Sequence, residues 1–126
     1  MTPPLLMKTK ILALLFLLFI LLVIVAADMD AIPLPIRALY RFPNGDRVAH
    51  LALYGILAFL LARAFPHPLR LGRLSMPIVM LALLAFAALE EYSQGFFSAR
   101  TPDLVDLACS FLGILAGTWL ASRRKK

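Results

Sequence analysis

Asp46, His50 and Tyr54 are spaced four and four, and Glu91 stands three before Gln94, in a chain otherwise dominated by hydrocarbon side chains. On a helix, four-residue spacing sets residues on one face, each about 6 Å further along than the last. Asp103, Asp106, Ser110, Gly113 and Gly117 form a second stripe at spacings of three and four, and Arg100 precedes it. A histidine flanked by carboxylates is a general acid–base arrangement, in which a carboxylate fixes the tautomer and stabilises the imidazolium. His50 is the candidate acid or base here, with Glu91 or Asp106 to orient it. Arg100 suits bidentate binding of a phosphate or carboxylate. Gln94 and Tyr54 are candidate hydrogen-bonding contacts to a ligand, and Asp46 is either a further contact or a helix cap.

Other uses of the same residues compete. His50, Glu91 and Asp106 offer donors for a divalent metal, but no HExxH-type spacing supports that, and neither metal nor cofactor is expected. Arg100 can instead neutralise Glu91 and Asp106 and tie two helices together. Glu90 and Glu91 lie about 100° apart on a helix, so only one is expected to face inward, and the spacing to Gln94 selects Glu91. Asp103 is expected to do little more than complement a helix dipole. The chain has neither a serine or cysteine nucleophile motif nor a glycine-rich phosphate loop. Tyr54 also suits an interfacial aromatic belt.

The elements that must carry these residues are membrane helices. Of 126 residues, 62% are hydrophobic, too many for the polar exterior of a soluble domain this size. Four apolar stretches, at about 11–27, 48–65, 76–94 and 104–121, approach the roughly 17–25 residues that cross a bilayer as a helix. The expected fold is an all-α integral membrane bundle of four transmembrane helices, a single domain over 1–126. Nine cations, among them Lys8, Lys10, Arg63, Arg70, Arg73 and Arg123, then share one side with no acid, while all seven acids fall on the other. The positive-inside rule puts both termini in the cytoplasm and the polar cluster outside. The net charge of +6 is therefore a topology signal facing membrane lipids, and no nucleic-acid partner is expected.

The connections look simple. The segment AIPLPIRALYRF is amphipathic enough to lie along the outer interface, and Asn44-Gly45-Asp46 reads as a turn and helix start. FPHPLRLGRLSMP reads as a proline-broken basic loop, with His67 solvated. Thr101-Pro102-Asp103 predicts a helix start with Thr101 as N-cap and Pro102 at N1. Cys109 is alone, a small apolar filler. Lys8, Lys10 and Val25-Ala26-Ala27 loosely imitate a signal peptide, but the 17-residue apolar run favours a retained span. Gly113 and Gly117 form a small-xxx-small pattern suited to close helix packing, within the chain or between copies.

DRVAHLALYGILAFLLA and EEYSQGFFSARTPDLVDLACSFLGILAG together resemble the VanZ-like family of bacterial membrane proteins. The positions that match are Asp46, Arg47, His50, Tyr54, Glu91, Gln94, Arg100 and Asp106, and the likeness spans residues 44–120. Two positions depart from the pattern: Ser110 stands where the family usually has Asn or Asp, and Ser98-Ala99 where it often has Pro-Gly. The resemblance implies association with the bacterial cell envelope; together with the polar pocket it leads us to expect a multi-pass protein of the cytoplasmic membrane that binds or modifies an anionic lipid or cell-wall precursor. Its founding member is linked to resistance to the glycopeptide teicoplanin. It implies no particular reaction, so a non-catalytic binding module or a small carrier stays open beside an enzyme.

Overall fold

The computed structural model describes residues 3–39, 45–98 and 102–123, with backbone alone at 39, 46 and 71. The elements are α1 (Pro3–Asp28), α2 (Leu34–Leu39), α3 (Gly45–Ala64), β1 (Pro68–Leu71), β2 (Leu74–Pro77), α4 (Ile78–Ser93) and α5 (Leu104–Arg123). Four helices are long and apolar enough to cross a membrane: α1, α3, α4 with its continuation to Phe96, and α5. Helix α1 starts eight residues before the apolar run because prolines are tolerated in a first turn, where their missing N–H has no partner anyway. It ends in a Schellman motif. Asp30 adopts a φ of 53°, Ala31 N–H bonds to the Ala26 carbonyl and Asp30 N–H to that of Ala27. The short α2 forms within the segment expected to lie along the outer interface, and Arg37 on it pairs with Asp30 at 3.3 Å.

The second connection departs from the all-α expectation. Leu71 pairs with Leu74, so β1 and β2 form an antiparallel hairpin closed by Gly72-Arg73. Gly72 has a φ of 62° at the first loop position, which a type II′ turn requires and which a side chain would strain. The proline-rich composition concealed strands only four residues long.

Helix α3 is the hub, packed most extensively on α5 and also on α1 and α4. A Cβ built on Gly113 would collide with the Leu51 carbonyl oxygen, and one on Gly117 with that of Gly55. These successive contacts show that α3 and α5 run parallel with their backbones nearly touching. In lipid, burying apolar surface gives helices little reason to associate, so such close packing has to hold the pair. The Gly113/Gly117 face is thus packed against α3 inside the chain. Leu57, Ala58, Leu83, Ala87 and Ile114 make the core beside this seam. Helix α1 leaves Leu12, Leu14, Leu15, Leu18 and Leu22 exposed, a surface suited to acyl chains.

The two ends of the bundle differ in charge. Lys10 lies over the Phe65 ring, Arg63 over Phe59 and Arg123 over Trp119, at 5.4, 5.7 and 5.0 Å from the ring centroids. Such cation–aromatic pairs suit a membrane interface, where the charge stays wet and the ring does not. The opposite end, formed by the starts of α3 and α5 and the end of α4, carries the acids.

Candidate functional site

His50 lies on the second turn of α3, where the spacing of Asp46, His50 and Tyr54 is that of one helical face. Tyr54, one turn further along α3, is 4% exposed; its ring stacks on His50 with centroids 6.2 Å apart and packs against Phe86. Tyr54 therefore belongs to the interior and not to an interfacial belt. The Nδ1 of His50 lies 2.9 Å from the hydroxyl of Ser110 on α5. Ser110 donates its single proton to the Asp106 carbonyl at 3.1 Å, so it accepts from the Nδ1–H of His50. This arrangement suits the tautomer that carries its proton on Nδ1. A hydroxyl orients His50 where a carboxylate was expected.

Both glutamates at the end of α4 are buried, Glu90 at 7% and Glu91 at 4% exposure, so the expectation that only one turns inward is wrong. The last turn of α4 meets α3 and α5 together, and the 100° between the two side chains spans that corner. Helix α4 then tightens into a 3₁₀ turn over Gln94–Phe96, which brings Gln94 back beneath both acids. The Gln94 amide, 3% exposed, donates to Glu90 Oε2 at 2.9 Å and to Glu91 Oε1 at 3.3 Å. One ligand atom each from His50, Glu90 and Glu91 lies within 4.8 Å of the others. Glu90 is the member of the site that spacing arguments set aside; its distance of four to Gln94 was the signal that could have kept it.

The start of α5 is tied to the same acids. Asp103 Oδ1 accepts the Val105 N–H at 2.8 Å while its carbonyl accepts from Leu107, so Asp103 is the N-cap. The expected cap at Thr101 lies outside the described residues; the helix starts two residues later than that signal. Asp103 N–H donates to Glu91 Oε2 at 2.7 Å, and Arg47 reaches Asp103 at 3.6 Å and Asp106 at 3.9 Å. Asp103 does far more than complement a dipole: it joins α3, α4 and α5. Asp106 is buried on the face of α5 that also carries Ser110.

The structure thus gathers His50, Tyr54, Glu91, Gln94 and Asp106 from the expected set and adds Glu90, Arg47, Asp103 and Ser110. Arg100 and the side chain of Asp46 lie outside the described residues. Chemically, the described residues set an imidazole beside buried carboxylates, with the cation Arg47 at the rim. The site is equipped to exchange protons and to hold a cation, and its arginine can meet an anion from the exposed edge. Compared with family models, characterised proteins and solved structures, the chain shows no match.

Proposed function

We propose that this chain is a VanZ-like protein of the bacterial cytoplasmic membrane, with both termini in the cytoplasm and its acidic end facing outward. At that end it binds or, through His50, modifies an anionic lipid or cell-wall component. One observation carries the proposal: three spans bring His50, Glu90, Glu91, Gln94, Asp106 and Ser110 to one buried corner. Placing ionisable groups on membrane helices is costly, and packing alone does not require them. The basic aromatic-backed opposite end agrees with the orientation.

In this reading a headgroup approaches from the rim, where Arg47 is 42% exposed at its side chain and Arg100 follows α4 in the sequence. His50 Nε2 takes or returns a proton, Ser110 holds the ring, and Tyr54 limits its rotation. Arg47 and Arg100 hold the anion. Protein membrane levels being equal, His50→Gln should abolish any teicoplanin or envelope phenotype that expression of the chain confers on a susceptible Gram-positive host. A phenotype that survives His50→Gln but is lost in Arg100→Ala rejects proton transfer by His50 and keeps anion binding. A second reading is favoured by one contact, the capping of α5 by Glu91: the cluster then serves helix assembly in a non-catalytic binding module.

A further inference from the structure

The most demanding feature of the molecule is the convergence of His50, Glu90 and Glu91. Two carboxylates, each more than nine-tenths buried, come from α4 and an imidazole from α3, with one donor atom of each inside a 4.8 Å circle. Tetrahedral ligands at about 2.1 Å from one ion stand about 3.4 Å apart, so closing on an ion moves each donor atom by up to about 0.8 Å. A separate contact on a third helix points the same way. Ser110, 2% exposed and on α5, holds the Nδ1 of His50 at 2.9 Å, which leaves Nε2 as the second ring nitrogen for an ion. Metal-ligating histidines are held in this manner, by a hydrogen bond from the second ring nitrogen. Two carboxylates and an imidazole meet in this corner, where the Gln94 amide already donates to both acids and a cation would draw on the same oxygens.

We infer that His50, Glu90 and Glu91 form a site for one divalent transition-metal ion of the zinc or manganese class. The donor set decides the class. Imidazole nitrogen selects against calcium and magnesium, and carboxylate oxygens with no thiolate select against soft ions. Cys109 is not among the converging donors. Three protein ligands leave a fourth position for water or for a phosphate oxygen approaching from the rim. The inference does not depend on the proposed lipid chemistry, since a structural ion would occupy the same ligands.

The test uses the full chain in detergent micelles, stripped of metal and titrated with Zn²⁺ alone. One Zn²⁺ per chain is expected, with Ca²⁺ bound at least about tenfold more weakly. His50→Gln, Glu90→Gln and Glu91→Gln should each weaken Zn²⁺ binding by about tenfold or more, Ser110→Ala by about tenfold, and His67→Gln not at all. Because these variants can misfold, Co²⁺ added to the unmutated chain gives a second readout. A visible spectrum of nitrogen and oxygen ligation supports the site, whereas a thiolate charge-transfer band assigns the ion to Cys109 and overturns it. Absence of saturable Zn²⁺ binding, or binding unchanged in folded Glu90→Gln and Glu91→Gln, also overturns it. Anionic-lipid retention by the metal-stripped chain reports separately on the proposed function.

Discussion

The Nδ1 of His50 and the hydroxyl of Ser110, sixty residues apart in sequence, meet at 2.9 Å across the parallel pair α3 and α5. The contact exists because Gly55, Gly113 and Gly117 let the two backbones approach, one and two turns further along the same seam. A hydroxyl bonded to its own helix carbonyl is enough to hold the ring.

The first expectation concerns that tautomer. Imidazole ¹⁵N shifts should show His50 protonated at Nδ1 when neutral, and Ser110→Ala should erase the preference. The substitution leaves a part-buried N–H without its acceptor, which costs about 1–3 kcal/mol of stability. A neutral ring carrying its proton on Nε2 in the unmutated chain would contradict the assignment.

Glu91 should matter to folding through Asp103. Glu91→Ala removes the acceptor of the Asp103 N–H, and about 1–3 kcal/mol of stability with it. Glu91→Gln keeps an oxygen at that position and should lose less. Hydrogen exchange at Asp103 separates the cases: fast in the alanine variant, slow in the glutamine variant. Equal protection in both means that Glu91 does not cap α5.

The glycine seam gives a steric test. Gly117→Val drives a branched side chain into the Gly55 carbonyl and should cost about 3 kcal/mol or more, enough to prevent α3–α5 packing. Gly55→Ala meets the Gly113 carbonyl oxygen at 3.4 Å, ordinary contact, and should change unfolding in detergent by under about 1 kcal/mol. If the two substitutions cost the same, the seam is not where the helices touch.

Arg47 offers the opposite case. Its pairs with Asp103 and Asp106 are 3.6 and 3.9 Å long and its side chain is 42% exposed, so water and salt screen them. Arg47→Met should lower stability by no more than about 1 kcal/mol in low salt, an effect that fades as salt is added. A loss that is large and independent of salt would make Arg47 a structural keystone instead of a rim cation.

Much of this architecture was legible from hydrophobicity, because a span must be long and apolar whatever its neighbours are. Helix α5 starts where its apolar run does, two residues beyond the Thr101-Pro102 signal, and α3 and α4 begin within three of their runs. What escaped depends on neighbours. The side-chain angle between Glu90 and Glu91 excludes a shared face but not a shared corner, and the corner appears only where α4 meets two helices. Asp103 became the cap because its own side chain reaches Val105, a competition with Thr101 that spacing cannot decide. The hairpin was hidden by prolines at both of its ends, positions where a two-stranded ladder tolerates them. Gly113 and Gly117 carried a packing signal whose partner, α3, no pattern within α5 could name.

The most direct measurement is native mass spectrometry of the full chain released from micelles after extraction with mixed anionic and zwitterionic lipid. The proposed site predicts selective retention of anionic lipid. That retention should be unchanged in His50→Gln, which spares the arginines, and reduced at least about tenfold in Arg47→Ala/Arg100→Ala. Equal retention of both lipid classes, or full retention in the doubly substituted chain, would contradict an anion-binding site at this end of the bundle.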